Sequence, residues 1–254
     1  MLENLTTERR NKKTENLDEL STKEILRIMN EEDKTVPTAI EKELDKITEA
    51  IEIVKDKISC GGRLVYLGAG TSGRLGILDA VECVPTFSTT DEVLGIIAGG
   101  EKAFVKAVEG AEDSLTLAQE DLKKINFSQN DVIFGIAASG RTPYVIGALK
   151  YAESVGAKKI ALSCNKNSKI SKYADVAIEI DCGPEILTGS TRLKAGTAQK
   201  LVLNMVSTAT MIGLGKVYKN LMVDVKPTNE KFLTISHFMT QNKFPNWVFI
   251  FTKI

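Results

Sequence analysis

Five short apolar runs, each set between segments of helical period, govern what this chain can fold into. They are Leu64–Leu67 (ending in Gly68), Val93–Ala98 (ending at Gly99-Gly100), Asp131–Ala137, Lys159–Ser163 and Val176–Ile180. The runs are continuously apolar and do not alternate with polar residues, which is the pattern of strands covered on both faces. Helical patterns lie between and after them, over Ser114–Ile125, Pro143–Val155 and Leu193–Ile212. Strands alternating with helices predict an α/β domain: a doubly wound, mostly parallel five-stranded sheet in three layers.

Upstream of the strands, residues 1–20 are polar and charged and are expected to form a mobile arm. Ser21 or Thr22 opens a short helix through Ile25, Leu26, Ile28 and Met29. Pro37 suits the first turn of a longer helix. Its stripe of Ile40, Leu44, Ile47, Ile51, Val54 and Ile58 predicts one continuous helix of about twenty residues, packed on the sheet or on a second copy. The expected organisation is an arm with helices over 1–60, the sheet domain over 61–225 and a distinct tail over 226–254. An extended exit is expected around Asn220–Asn229. The tail differs in composition: Phe232–Ile254 holds five of the nine Phe, the only Trp and the only His, His237, and no acidic residue.

Composition excludes several classes. The 33 basic and 33 acidic side chains cancel, whereas binding a phosphate backbone usually leaves a basic excess, so nucleic acid is not an expected partner. No apolar run approaches the roughly 18 residues of a membrane span, and the N-terminus has no secretory apolar stretch. Cys60, Cys83, Cys164 and Cys182 are scattered singly, without zinc-site spacing. Reduced thiols in a cytoplasmic protein are the expectation.

In open parallel sheets, ligands bind beyond the carboxyl ends of the strands. After the first strand comes Gly68-Ala69-Gly70-Thr71-Ser72-Gly73-Arg74, and after the third Ala138-Ser139-Gly140-Arg141-Thr142. Both carry Ser-Gly-Arg at a strand-to-helix junction. Small residues admit a close ligand, while hydroxyls and free helix N–H groups donate to an anion, so the two loops are expected to converge on a phosphate. The first loop also reads as the dinucleotide fingerprint, but no acidic residue ends the following strand, where that fingerprint would need one for a ribose. Glycine turns needed only for geometry would explain the glycines but not the repeated Ser and Arg. A third loop, Thr188–Lys194, also precedes a helix. Ser190 or Thr191 suits an N-cap there, and Lys194 either reaches a phosphate or lies on a solvated face.

With His237 confined to the tail, acid–base chemistry in the body must use other side chains. Glu82 sits near the expected C-terminus of the helix from the first loop, where the helix dipole and partial burial would both favour its protonated form. Glu112 falls after the second strand, on the same side of the sheet. For each, a solvated surface carboxylate is the ordinary alternative.

Long strings go beyond these local signals. They are EDKTVP from Glu32 to Pro37, LGAGTSGRLGILDAVEC from Leu67 to Cys83 and AVEGAEDS from Ala107 to Ser114. GIAASGRTPYVI from Gly135 to Ile146, LKAGTAQKLVLNM from Leu193 to Met205 and NLMVDV from Asn220 to Val225 complete them. In these the chain resembles the bacterial N-acetylmuramic acid 6-phosphate etherases, which are single sugar-isomerase (SIS) domain proteins. The likeness covers roughly residues 20–231, and members of that family continue beyond the position of Lys231 into further helices.

The resemblance implies cleavage of the D-lactyl ether, giving N-acetylglucosamine 6-phosphate and D-lactate, in cell-wall recycling or uptake of muramic acid. It implies no metal or cofactor. Glu82 matches the family's proton donor and Glu112 its second catalytic glutamate. Ser72 and Ser139, with Thr71, Gly140 and Thr142, would hold the 6-phosphate, Gly70, Gly73, Arg74, Arg141, Ser190 and Lys194 lying in the same loops. The family pairs as homodimers with residues of both subunits near each site. The alternatives within the SIS class are an aldose–ketose isomerase and a sugar-phosphate-sensing regulator, such as the glucokinase regulatory protein.

Overall fold

The structure, a computed structural model, describes residues 5–106 and 108–223. The tail over 226–254, with His237, lies outside the described residues. Strands β1 (Leu64–Gly68), β2 (Val93–Ile97), β3 (Val132–Ile136), β4 (Lys158–Ser163) and β5 (Val176–Glu179) form one parallel sheet in the order β2-β1-β3-β4-β5. The chain steps from β1 out to β2, then crosses back to β3 on the other side of β1. The winding therefore reverses between β1 and β3, and their carboxyl ends open a crevice there.

The continuous apolar runs follow from what covers the sheet. Along β1, Leu64 and Tyr66 enter one core while Val65 and Leu67 enter the other. The first core is closed by α2 (Thr35–Glu41), α3 (Leu44–Ser59), α4 (Gly70–Phe87) and α8 (Lys194–Gly213), which bring Ile40, Ile47, Val54, Ala80, Val202 and Val206. The second is closed by α6 (Leu117–Lys124) and α7 (Pro143–Ser154), with Leu122, Val145 and Leu149. The remaining helices are α1 (Thr22–Asp33) and the single-turn α5 (Lys102–Val105). Among the described residues, no helix is long and apolar enough to cross a membrane.

Two expectations about the N-terminal part are corrected. The predicted single helix through Ile40–Ile58 is broken after Glu41 into α2 and α3. Glu43 sits at the break, where its carboxylate pairs with Lys166 and accepts from the Glu179 N–H. The stripe packs on α8 and the sheet, so Ile47, Ala50 and Val54 are intramolecular core, while Leu44 points outward. Residues 5–20 are also not a loose arm. They form three 3-10 turns, Thr6–Glu8, Lys12–Thr14 and Leu17–Glu19, and Thr7, Asn11 and Thr14 are buried. Their hydrogen bonds to the Asn165 and Glu32 side chains and to the carbonyls of Pro184 and Ile186 explain why a polar segment lies down on the domain. The Ser21–Glu24 capping box then starts α1.

After α8, a short antiparallel hairpin pairs β6 (Val217–Tyr218) with β7 (Leu221–Met222). The expected extended exit begins there and otherwise falls outside the described residues.

Candidate active site

The three glycine-rich loops meet at the crevice. β1 turns into α4 through Ala69, which is extended, and Gly70 at φ 53°, leaving the first-turn N–H groups of α4 facing the strand ends. A Cβ on Gly68 would lie 2.8 Å from the Gly73 nitrogen and 2.9 Å from the Ile136 oxygen. The end of β1, the first turn of α4 and the end of β3 are thus in near contact. The second loop turns at Gly140, φ 69°. Thr142 follows as N-cap of α7 without using its hydroxyl, and Pro143 fills the first helical position. The third loop joins through α8: a Cβ on Gly196 would be 3.5 Å from Thr71, and the Gly196 N–H donates to the Thr191 carbonyl. Thr71 and Ser139 make no side-chain hydrogen bond among the described residues. Ser72 is buried and donates to Gln199 Oε1 at 3.0 Å.

Two of the cations of these loops, Arg74 and Lys194, are engaged elsewhere. Arg74 Nε donates to the Phe104 carbonyl at 2.9 Å and Nη2 to the Ala103 carbonyl at 2.8 Å, both on α5. Arg141 is exposed at the mouth of the second loop. Lys194 lies on no solvated face: it is 2% exposed, and its ammonium donates to Glu32 Oε2 at 2.7 Å. Ser190 remains half-buried in the third loop.

The glutamates sit on different elements. α4 runs on through Pro85 to Phe87 and ends at Ser88 in the left-handed region, φ 52°. Glu82 is therefore further from the helix end than the sequence suggests, and it is exposed, contrary to the expected partial burial. It lines a cleft of about 410 Å³ with Asp79, Asn204, Thr208 and Lys219. Asp79 is buried one turn before Glu82. Its Oδ1 accepts from Asn204 Nδ2 at 2.9 Å and Ser207 Oγ at 3.2 Å, and burial without a cation pushes its carboxyl up from its ordinary range. Glu112 is exposed on a 3-10 turn, Ala111–Asp113. That segment lies tight on α7, since a Cβ on Gly147 would meet the Leu115 carbonyl oxygen at 2.1 Å.

The loops converge, but the Glu82 cleft shares no lining residue with them. Ser72 and Glu82 are ten residues apart on one helix, about 15 Å at the helical rise.

Comparison with known proteins matches this architecture. Residues 44–153 fit the family model for the glucokinase regulatory protein N-terminal SIS domain, and residues 113–209 that for the SIS domain. A solved phosphoheptose isomerase from Francisella tularensis shares the fold, with TM-score 0.60 at 15% identity over 76% of this chain and 99% of that one. An N-acetylmuramic acid 6-phosphate etherase of Bacillus cereus is 67% identical over 234 residues, covering 92% of this chain and 80% of that protein. The chain belongs to the N-acetylmuramic acid 6-phosphate etherase family. A second member, from Bacillus mycoides, matches at 67% over the same shares.

Two residues of this etherase chain escaped the sequence reading. Gln199 lies fully buried between the first turns of α4 and α8, with Nε2 unpartnered among the described residues. Asn165, after β4, donates through Nδ2 to the Ala138 carbonyl at 3.1 Å, next to Ser139. Gln199 falls within the LKAGTAQKLVLNM string, but nothing in local spacing pairs it with Ser72.

Gly140 provides a direct test of loop geometry. A Cβ there would sit 2.3 Å from the Ser168 Cβ, on a backbone already left-handed. Gly140→Ala is expected to weaken phosphate binding about tenfold and to lower the melting temperature, read by calorimetry and thermal denaturation, since the left-handed penalty is about 1–2 kcal/mol.

Proposed function

We propose that this chain cleaves the D-lactyl ether of N-acetylmuramic acid 6-phosphate to N-acetylglucosamine 6-phosphate and D-lactate. The observation that carries the reading is 67% identity over 234 residues to an etherase, a span that includes the crevice loops and both glutamates. The crevice holds the 6-phosphate on the N–H groups at the start of α4 and the hydroxyls of Thr71, Ser139 and Thr142. Ser190 and the small residues Gly70, Gly73 and Gly140 complete the cradle. Arg74 and Lys194, engaged with carbonyls and with Glu32, act by holding the loops in place.

The chemistry is an elimination followed by hydration. In the ring-opened sugar, the aldehyde acidifies the C2 proton, which Glu112 takes as base. The C3–O bond then breaks, its electron pair leaving with the lactate oxygen as Glu82 supplies a proton. Water adds across the resulting C2=C3 bond, hydroxyl to C3 and proton to C2. Anchoring by the phosphate fixes C2 and C3 before either proton moves.

The separation of Glu82 from the loops of its own subunit favours a site built from two copies. Leu78 and Val81 of α4 and Met205 and Ile212 of α8 are exposed around the Glu82 cleft and offer an apolar face to a partner. Lactate release from the muramic acid phosphate tests the reaction, with glucosamine and fructose phosphates as isomerase controls. Mixing tests the pairing. Glu82→Gln and Ser139→Asp are each expected to be inactive alone, while an equal mixture recovers about a quarter of wild-type activity, because half the dimers are mixed and each has one intact site. No recovery from subunits that exchange would overturn the shared site.

A further inference from the structure

We propose that residues 5–19 form a latch that sets the phosphate-binding loops, with Asn165 as the positioning residue that transmits it. The inference rests on the reading of those loops as the phosphate site. Thr7, Asn11 and Thr14 are polar residues on the inner side of the 3-10 turns, only 2%, 6% and 8% exposed. Each reaches a segment that runs into a loop of the crevice.

The first contact leads to the second loop. Thr7 N–H donates to Asn165 Oδ1 at 3.3 Å, and Asn165 Nδ2 donates to Thr7 Oγ1 at 3.0 Å. The same Nδ2 donates to the Ala138 carbonyl at 3.1 Å, so its two hydrogens join the arm to the residue before Ser139. Asn165 is itself fixed, because Ser163 Oγ donates to its carbonyl at 2.9 Å.

The second contact leads to the third loop. Thr14 Oγ1 donates to the Ile186 carbonyl at 2.8 Å, and Asn11 Nδ2 to Glu32 Oε2 at 3.2 Å and the Pro184 carbonyl at 3.5 Å. Between these, Glu185 accepts from the N–H groups of Lys194 and Ala195, both at 2.9 Å, at the start of α8. Residues 184–186 are thus gripped by the arm on one side and by α8 on the other, two residues before Thr188.

A hydrogen bond exchanged for one to water adds little net stability, yet it fixes position. The arm therefore acts mainly on loop geometry, and its loss appears in binding more than in turnover. Thr7→Val and Thr14→Val keep shape and remove the hydroxyls. In the 254-residue chain the double variant is expected to raise the KM for the muramic acid phosphate and the Kd for inorganic phosphate about tenfold, with kcat at saturation within about twofold. Thr7→Ser, which keeps the hydroxyl, is expected to retain wild-type values. Thr48→Val, whose hydroxyl serves only the Leu44 carbonyl on α3, is the control. An unchanged Kd in the double variant, an equal rise in Thr7→Ser, or a fall in kcat without a rise in KM would overturn the latch. A wild-type chain that releases no lactate but binds phosphate would overturn the etherase reading alone, and the Kd comparison would still test the latch.

Discussion

Glu82→Gln is expected to lower kcat for lactate release by about three orders of magnitude while leaving sugar-phosphate affinity within a few-fold, because proton transfer by a positioned side chain contributes about 10²–10⁴ in rate. The two observables separate because the phosphate loops and the Glu82 cleft share no lining residue. An amide keeps the size of the side chain but has no proton to give the departing lactate oxygen. Glu82 is exposed, so the substitution leaves no buried group unpaired and folding is unaffected. Lactate measured by a coupled assay, with N-acetylglucosamine 6-phosphate affinity by calorimetry, distinguishes lost chemistry from lost binding. Lactate release within tenfold of wild type would remove Glu82 from the reaction.

The parts of this fold that local physics specifies were legible in the sequence. Continuous apolar runs marked all five strands, and the Ser-Gly-Arg tripeptides marked the crevice, where a Cβ on Gly73 would lie 2.7 Å from the Gly68 oxygen and one on Gly140 2.3 Å from the Ser168 Cβ. What was not legible depends on partners far away in sequence. Thr7, Asn11 and Thr14 belong to a segment whose composition reads as solvated, and Asn165, Glu32 and the carbonyls of Pro184 and Ile186 give them reason to bury. The helix break at Glu43 depends likewise on Lys166 and Glu179. Arg74 had the right place for a phosphate ligand, but its fork found the carbonyls of Ala103 and Phe104. Of the candidate site, the convergence of the loops was readable from spacing. The roles proposed for Glu82 and Glu112 rest on likeness to a family, because an exposed carboxylate carries no local mark of its use.

Lys194 is the sharpest case of a distant partner, and it sets the largest stability effect expected. Its ammonium is buried against Glu32, which also accepts from Lys13 at 2.8 Å and Asn11 at 3.2 Å, tying α1, the arm and α8 together. Glu32→Ala leaves the Lys194 charge without its carboxylate, a loss of about 3–5 kcal/mol. At a few degrees per kcal/mol for a chain of this size, the melting temperature should fall by roughly 10 °C. Burial alone would raise the Glu32 carboxyl, but hydrogen bonds and charge from Lys13 and Lys194 hold it below its ordinary range. A carboxyl depressed in the folded state stabilises at all pH above its unfolded value, and that contribution is lost as pH falls through the folded value. Wild type should therefore lose stability towards acid more steeply than Glu32→Ala, with the difference largest at neutral pH. Glu32→Met combined with Lys194→Met removes both charges and should recover most of the loss, since a buried pair replaced by apolar side chains is often neutral. Thermal melts of the three variants across pH decide it: a Glu32→Ala melt within about 2 °C of wild type at neutral pH, less than a kcal/mol, would mean that Lys194 finds water or another carboxylate.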